Sequence, residues 1–319
     1  MIEERIIRAV VGGALEMAVR LGARPLRGVI INEHWLSAAE TRAHVAWLAR
    51  RFDLIHHDEL RARLERRAAR PFCLLTFDDG KRSNATETAP ELERLGVPAA
   101  FYVTTGFIGG GRPLWFDRLA VLVRTLGRVP AALDARALKR LPLAVIDERV
   151  DTACRAHGIA VDGSDERIAA MSWDDVRALS SLGFTVGAHG VRHTVLTSER
   201  DADARAEIAG SLDRVSRELG APCKSFAFPN GNYTEPLARY ALDRGAETVM
   251  TTEPTWVGPG ARLWCLPRVQ LFPGSTRARI ELKLALAATG RILANPDGTG
   301  RRYIVARAAG DGGVTARPT

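Results

Sequence analysis

The chain has no CxxC pair, no glycine-rich phosphate cradle and no apolar run of membrane-spanning length. Each absence closes off a class. The four cysteines, Cys73, Cys154, Cys223 and Cys265, stand far apart in 319 residues. That spacing suits free thiols in a reducing compartment rather than a disulfide scaffold, and Cys73, inside an apolar run, is expected to be buried. No stretch reaches the ~20 apolar residues of a transmembrane helix. The N-terminal apolar stretch from Ile6 to Val19 is broken by Arg8 and Glu16 and ends in no small-residue cleavage site, so no signal peptide is expected. A cytoplasmic location follows as the expectation, with residues 1–26 forming an amphipathic helix suited to the domain surface or to the inner face of a membrane. Neither GxGxxG nor GxxxxGK[ST] follows any strand-like run, which removes support for a nucleotide fold. The net charge is +8, and the last twenty residues, with four Arg and one Asp, supply three of these charges. No Arg/Lys stripe with interleaved aromatics occurs, so a nucleic-acid partner is not expected. The mild basic excess suits an anionic surface or substrate.

What is present is a soluble-protein composition, 46% hydrophobic and 26% charged, in a chain long enough to bury a full core. Short apolar runs alternate with amphipathic stretches about seven times. Strands are expected at Arg27–Asn32, Phe72–Phe77, Ala99–Val103, Phe184–Ala188, Lys224–Phe228, Glu247–Thr252 and Leu266–Phe272. Helices are expected at Ala38–Arg51, His57–Arg67, Ala85–Leu95 with Asn84 as cap, Trp173–Leu182 capped by Ser172 and Asp175, Glu199–Leu219, Glu235–Arg244 capped by Thr234, and Thr276 to about Leu293. The unit Phe72–Val103 reads as strand, helix, strand, which implies parallel strands. The domain plan is an N-terminal helix (1–26), a catalytic domain (27–295) with a helical insertion at about 114–170, and a flexible basic tail (296–319). Alternation of this kind allows a doubly wound sheet or a (β/α) barrel.

Chemistry-bearing residues gather at the strand ends, where both architectures place their sites. Asp78 and Asp79 follow the run Cys73–Phe77 and precede Gly80. Two adjacent carboxylates raise each other's pKa unless a cation intervenes, although an acidic turn is the simpler reading of the three residues alone. His189 and His193 follow another strand, four residues apart. Imidazoles at that spacing can face one point and suit zinc or another divalent first-row metal. Two histidines and one carboxylate make a three-ligand site with open positions, and the second carboxylate is then free to act as a base.

Thr76-Phe77-Asp78-Asp79-Gly80, then His189-xxx-His193 about 110 residues further on, then Phe226-Ala227-Phe228-Pro229-Asn230-Gly231-Asn232-Tyr233, resembles the polysaccharide deacetylase family over about Arg27–Leu271. The resemblance implies an α/β fold, a distorted (β/α) barrel with about seven parallel strands, carrying a helical insertion. It implies metal-dependent removal of an N-acetyl group from an amino sugar. Asp79, His189 and His193 take the places of the metal ligands, with zinc the first choice and cobalt or nickel as alternatives. Asp78 takes the place of the general base toward a water polarised by the metal. In the Pro229-Asn230-Gly231 stretch the resemblance implies a main-chain N–H, that of Asn230, facing the oxyanion, with Gly231 permitting close approach. Tyr233 is a candidate for the sugar site, packing being its alternative.

Departures from the family pattern define the open questions. Gly190 stands where many members carry a small hydroxyl residue. Lys224-Ser225 stands where an arginine often orients the base, and Arg268 in Leu266-Pro267-Arg268-Val269 is the candidate replacement. No histidine follows His193, so the proton donor of many members is missing from its usual place. Some branches use a histidine after the first strand, and His34, following Glu33 where tyrosine is common, is the candidate acid here. His44, His56, His57 and His157 read as solvated. The expected partner is an N-acetylated sugar polymer, an oligosaccharide or a lipid-linked sugar precursor, the last in keeping with peripheral membrane association. The alternative functions are a catalytically reduced carbohydrate- or metal-binding domain and a hydrolase of a non-sugar C–N bond.

Overall fold

The computed structural model describes residues 28–66, 69–272 and 274–288. The expected N-terminal helix at 1–26 and the basic tail at 296–319 lie outside them. Eight strands form one sheet: β1 (Gly28–Glu33), β2 (Asp53–Leu54), β3 (Phe72–Phe77), β4 (Ala100–Val103), β5 (Thr185–Ala188), β6 (Ser225–Ala227), β7 (Thr248–Met250) and β8 (Val269–Gln270). Seven run in the order β7-β6-β5-β4-β3-β1-β8, and β2 pairs with the start of β3. All strand pairings are parallel. One parallel bridge, Met250 to Leu266, ties β7 to the segment leading into β8 and draws the two edges together. The result is the distorted (β/α) barrel of seven main strands that the family resemblance implies, one of the two architectures that the alternation allows. β2 was not legible in the sequence, because two residues carry no periodicity.

Ten helices accompany the strands among the described residues: α1 (Ala38–Ala49), α2 (Leu60–Glu65), α3 (Ala89–Arg94), α4 (Trp115–Leu126), α5 (Ala135–Leu138), α6 (Leu143–Ala156), α7 (Trp173–Ser181), α8 (Asp201–Leu219), α9 (Glu235–Asp243) and α10 (Arg277–Ala288). Ser172 and Asp175 form the expected capping box on α7, and Thr234 caps α9. Ser37 and Glu40 make a further capping box on α1. Asn84 is not a helix cap. Its side chain is buried and donates to the His34 carbonyl at 2.9 Å, and the chain passes through a π-type turn, Asn84–Thr88, before α3. Pro90, in the first turn of α3, has no N–H to give, and a wider turn before it accommodates that loss.

Strand period two sorts side chains to the two faces of the sheet. In β3, Phe72 and Leu74 join an inner cluster with Ile30, Tyr102, Ala227, Met250 and Leu266. Cys73, Leu75 and Phe77 join the larger cluster between the sheet and its helices. The same alternation places Val186 and Ala188 outward, against that layer. Gly187 faces inward, where an added Cβ would meet the Tyr102 ring at 2.5 Å. Continued by one step, the inward rows of β3 and β5 arrive at Asp78 and His189. The insertion has its own apolar cluster, with Trp115, Leu119, Leu122, Leu138, Ile146 and Val150 at its centre, so α4–α6 hold together independently of the sheet layers. No disulfide joins any of the four cysteines, and Cys73 is fully buried.

Candidate active site

A cavity of about 390 Å³ opens at the C-terminal ends of the strands. Asp78 and Asp79 from β3, His189 and His193 after β5, Asn230 after β6, and His34 after β1 all line it. The insertion supplies a further wall through Trp115, Phe116 and Asp117.

Asp78 continues the inward row of β3, and its backbone N–H donates to the Glu33 carbonyl at 3.0 Å. An extended chain would send the next residue to the opposite face. Asp79 instead adopts φ 77°, a left-handed conformation, and the turn brings both carboxylates to one cavity. Gly80 follows with φ 89°; two successive left-handed residues are the reason for a glycine here.

The two aspartates have opposite surroundings. Asp78 receives two 2.7 Å hydrogen bonds from the fully buried Arg268, whose guanidinium also donates to Thr76 Oγ1 at 3.1 Å and to the Thr251 carbonyl at 3.0 Å. Burial raises the Asp78 pKa, but the Arg268 charge, then His189 and the Arg268 hydrogen bonds, outweigh it and hold the carboxyl below its ordinary range. Both Asp79 oxygens are buried with no hydrogen-bond partner. His193 Nε2 stands 3.3 Å from Asp79 Oδ1, and His189 Nε2 stands 3.8 Å from the same atom. Burial raises the Asp79 pKa too, and the nearby His193, His34 and Lys81 more than reverse it.

His189 Nδ1 lies 2.8 Å from the Ala227 carbonyl. A carbonyl only accepts, so Nδ1 carries the proton and Nε2 presents its lone pair toward Asp79. Burial pushes the His189 pKa down to about 4, against the opposing pull of Asp78, which keeps the imidazole neutral at pH 7. The His193 ring is set edge-on to His189 at 4.9 Å and to Phe116 at 4.9 Å.

These atoms fit a divalent cation. One carboxylate and two imidazole nitrogens lie within 4.8 Å of one another. Tetrahedral ligands held at ~2.0–2.1 Å from zinc stand ~3.3–3.4 Å apart, close to the 3.3 and 3.8 Å found here. A buried carboxylate without a hydrogen bond costs several kcal/mol unless a cation neutralises it. The donor set of one oxygen and two nitrogens suits zinc and its first-row neighbours.

A profile of the polysaccharide deacetylase family matches residues 65–249. The chain belongs to the polysaccharide deacetylase family. Its members are hydrolases that release acetyl groups from acetylated sugars and are generally metal-dependent. Among solved structures, IcaB from Ammonifex degensii superposes with a TM-score of 0.57 at 17% identity, covering 82% of this chain and 97% of that one. The Streptococcus pyogenes deacetylase PplD in complex with acetate gives a TM-score of 0.55 at 16% identity, over 82% of this chain and 99% of that one. The deacetylase domain of BpsB from Bordetella bronchiseptica gives 0.50 at 17%, over 77% and 96%. At these identities the likeness is one of fold. No curated protein matches the chain.

The remaining expected residues divide. His34 is half-buried on the cavity wall. Glu33, one residue earlier, faces the helices instead and is fully buried 3.3 Å from His44, and burial pushes its pKa up. Asn230 lines the cavity with φ 58°, whereas Pro229 and Gly231 sit behind it. An added Cβ on Gly231 would lie 2.0 Å from Thr252 Oγ1, so the close approach that demands glycine is to Thr252. Tyr233 is not on this cavity. Its ring packs against Phe228 and Trp264, and its hydroxyl donates to Glu253 at 3.0 Å; packing, the alternative reading, describes it. His57 is also corrected: it is buried, with Nε2 2.8 Å from Thr248 Oγ1. One turn of 3₁₀-helix tucks it under the sheet, where a solvated helix was expected.

Two features were missed. Lys81, directly after the acidic motif, forms a buried ion pair with Asp117 from the insertion, with its ammonium near the rings of Phe107 and Phe116. Burial pushes the Asp117 pKa up to about 6 despite Lys81. Glu207 on α8 is buried and binds the loop that carries His193. Its signal was present: it stands in the same buried stripe as Ala204, Ile208, Ser211 and Leu212, where an acid needs a partner.

Proposed function

We propose that this chain hydrolyses the N-acetyl group of an amino sugar in a glycan or glycolipid precursor, using a divalent metal, zinc first among the candidates, held by Asp79, His189 and His193. The observation that carries the reading is the contrast within one acidic pair. Asp79 has two buried, unpartnered oxygens facing two imidazoles, while its neighbour Asp78 is held apart by Arg268.

When bound, the ion supplies Lewis-acid polarisation of the acetamide carbonyl and lowers the pKa of water. The chain's own residues do the rest. Asp78 is ionised at neutral pH and oriented by Arg268, so it is placed to accept a proton as general base. Each of its oxygens keeps a lone pair beyond the Arg268 bonds. Asn230 lines the same cavity, and its main-chain N–H is the assigned donor to the oxyanion. His34, which also lines the cavity, is the assigned acid for the leaving amine, and Asn84 anchors its carbonyl. Trp115, Phe116 and Phe272 give the cavity apolar walls suited to a sugar ring.

Among the described residues no helix is long and apolar enough to cross a membrane. A lipid-linked sugar at a membrane surface is the substrate that would suit both the basic composition and a peripheral attachment.

Acetate release from N-acetylated oligosaccharides tests the reading. The zinc-loaded protein is expected to release acetate, the chelated protein to stop, and restored metal to recover it. Zinc uptake without acetate release from any such substrate would instead support a carbohydrate- or metal-binding domain. His34→Ala is expected to lower kcat by about 100-fold; full activity would remove the acid assignment.

A further inference from the structure

The loop Gly190–His193 is held from two sides. The N–H groups of Thr105 and Gly106, after β4, donate to the Gly190 and Val191 carbonyls at 3.0 and 2.7 Å. From α8, one oxygen of Glu207 accepts the N–H groups of both Val191 and Arg192 at 2.8 Å each, and its other oxygen accepts Arg192 Nε at 2.7 Å. Successive backbone N–H groups converging on one acceptor form an anion-binding nest, and here the anion is a side chain of the same protein.

Two features show that the loop needs such a hold. Gly190 has φ 75° and His193 has φ 57°, so the turn bends through the left-handed region twice, once at a non-glycine. Position 190 is also tightly enclosed. An added Cβ would sit 3.3 Å from Pro229 and 3.4 Å from Glu207 Oε2. The loop therefore has no side-chain hydroxyl at 190 to brace it, and the carboxylate reaches in from the adjacent helix.

We propose that Glu207 is a positioning residue for the metal site, fixing the direction of His193 and thereby setting metal affinity. It touches neither substrate nor metal and acts through the Val191 and Arg192 amides. The inference rests on the assignment of His189 and His193 as ligands. Charge-assisted hydrogen bonds are about twice as strong as neutral ones, so an amide in place of the carboxylate is expected to hold the loop less well, and alanine to release it.

The test is zinc affinity, measured on the metal-free full chain by competition with a chromophoric chelator, alongside cooperative unfolding of the same metal-free samples. Glu207→Ala is expected to weaken zinc binding by about ten-fold or more, within the range known for outer-shell partners, and Glu207→Gln by a few-fold. A purely structural role would lower the unfolding midpoint and leave the affinity of the folded protein unchanged; that outcome overturns the proposal. If Glu207→Ala does not fold, Glu207→Gln decides by the same criterion, with wild-type affinity counting against. Wild-type protein that takes up no zinc would overturn the ligand assignment itself, whereas tight binding by wild type and variants alike overturns only the role of Glu207.

Discussion

Arg268 and Asp78, 190 residues apart in sequence, meet in a two-point contact at 2.7 Å on the inner face of the barrel. The guanidinium is fully buried and donates hydrogen bonds to Asp78, to Thr76 Oγ1 and to the Thr251 carbonyl. The pair holds one of two adjacent aspartates charged and tied to the barrel interior, while the other turns toward the histidines.

Replacing Arg268 should change both rate and pH dependence. A base must be ionised to work, and Arg268 holds the Asp78 carboxyl below its ordinary range. With Arg268→Met the pKa rises, so the acid limb of kcat/KM moves to higher pH, and kcat falls by about 100-fold. The variant also leaves a carboxylate buried without its partner, a loss of about 3 kcal/mol or more. An unmoved acid limb would show that Asp78 is not the base.

Removing a ligand should abolish metal-linked stability. Wild-type protein with zinc at a thousand times its Kd gains about 4 kcal/mol over the metal-free form. Asp79→Asn and His193→Ala are expected to lose this gain together with acetate release. Retention of the full thermal shift in either variant counts against the assigned ligands.

The metal-free protein should weaken on acidification because of His189. Its folded pKa, about 4, lies below the ordinary 6.5. Between those values the unfolded chain binds a proton that the folded protein refuses, so stability is full above pH 6.5 and is lost as the pH falls toward 4. The contribution is about 3 kcal/mol across the window. Asp117, pushed up to about 6, works in the opposite direction below pH 6. Urea unfolding midpoints from pH 7.5 to 4, compared with those of His189→Gln, isolate the histidine term; identical slopes would contradict it.

The Lys81–Asp117 pair ties the insertion to the turn that follows β3, and a double-mutant cycle should reveal it. Lys81→Met leaves Asp117 buried without its cation and should cost about 3 kcal/mol or more. The double variant Lys81→Met with Asp117→Leu should recover most of that loss. Additive single and double losses would mean that the two side chains are energetically independent.

Gly231→Ala should destabilise the Pro229–Gly231 turn, because the new Cβ meets Thr252 at 2.0 Å and the backbone φ is 73°. A drop of about 2 kcal/mol in unfolding free energy is expected. Pairing it with Thr252→Gly should relieve the steric part and leave the backbone strain, which thermal unfolding of the pair against the single variants would separate.

Much of this site was legible before any folding was considered. Strand ends concentrate chemistry in parallel α/β sheets, so Asp78, Asp79, His189 and His193 stood out by residue type and by their place after apolar runs. The order of three motifs carried the family. Which strand residues face inward was not legible, because the strands are buried on both faces and carry no polar alternation. Tyr233 and His57 were also unreadable, since a tyrosine or histidine near a strand end has the same local signature whether it faces a cavity or the packing layer.

By itself, the sequence determined the alternation of strands and helices, the parallel connection, and the residue types at each strand end, because these depend on local periodicity and spacing. The tertiary structure decided which of those residues share one point. The left-handed turn at Asp79, the Ala227 carbonyl that fixes the His189 proton, the reach of Arg268 across the barrel and the Glu207 carboxylate under the His193 loop all depend on contacts between distant segments. Burial supplies the reason: only when water is excluded do these charges and hydrogen bonds become strong enough, and costly enough if unmade, to select one arrangement.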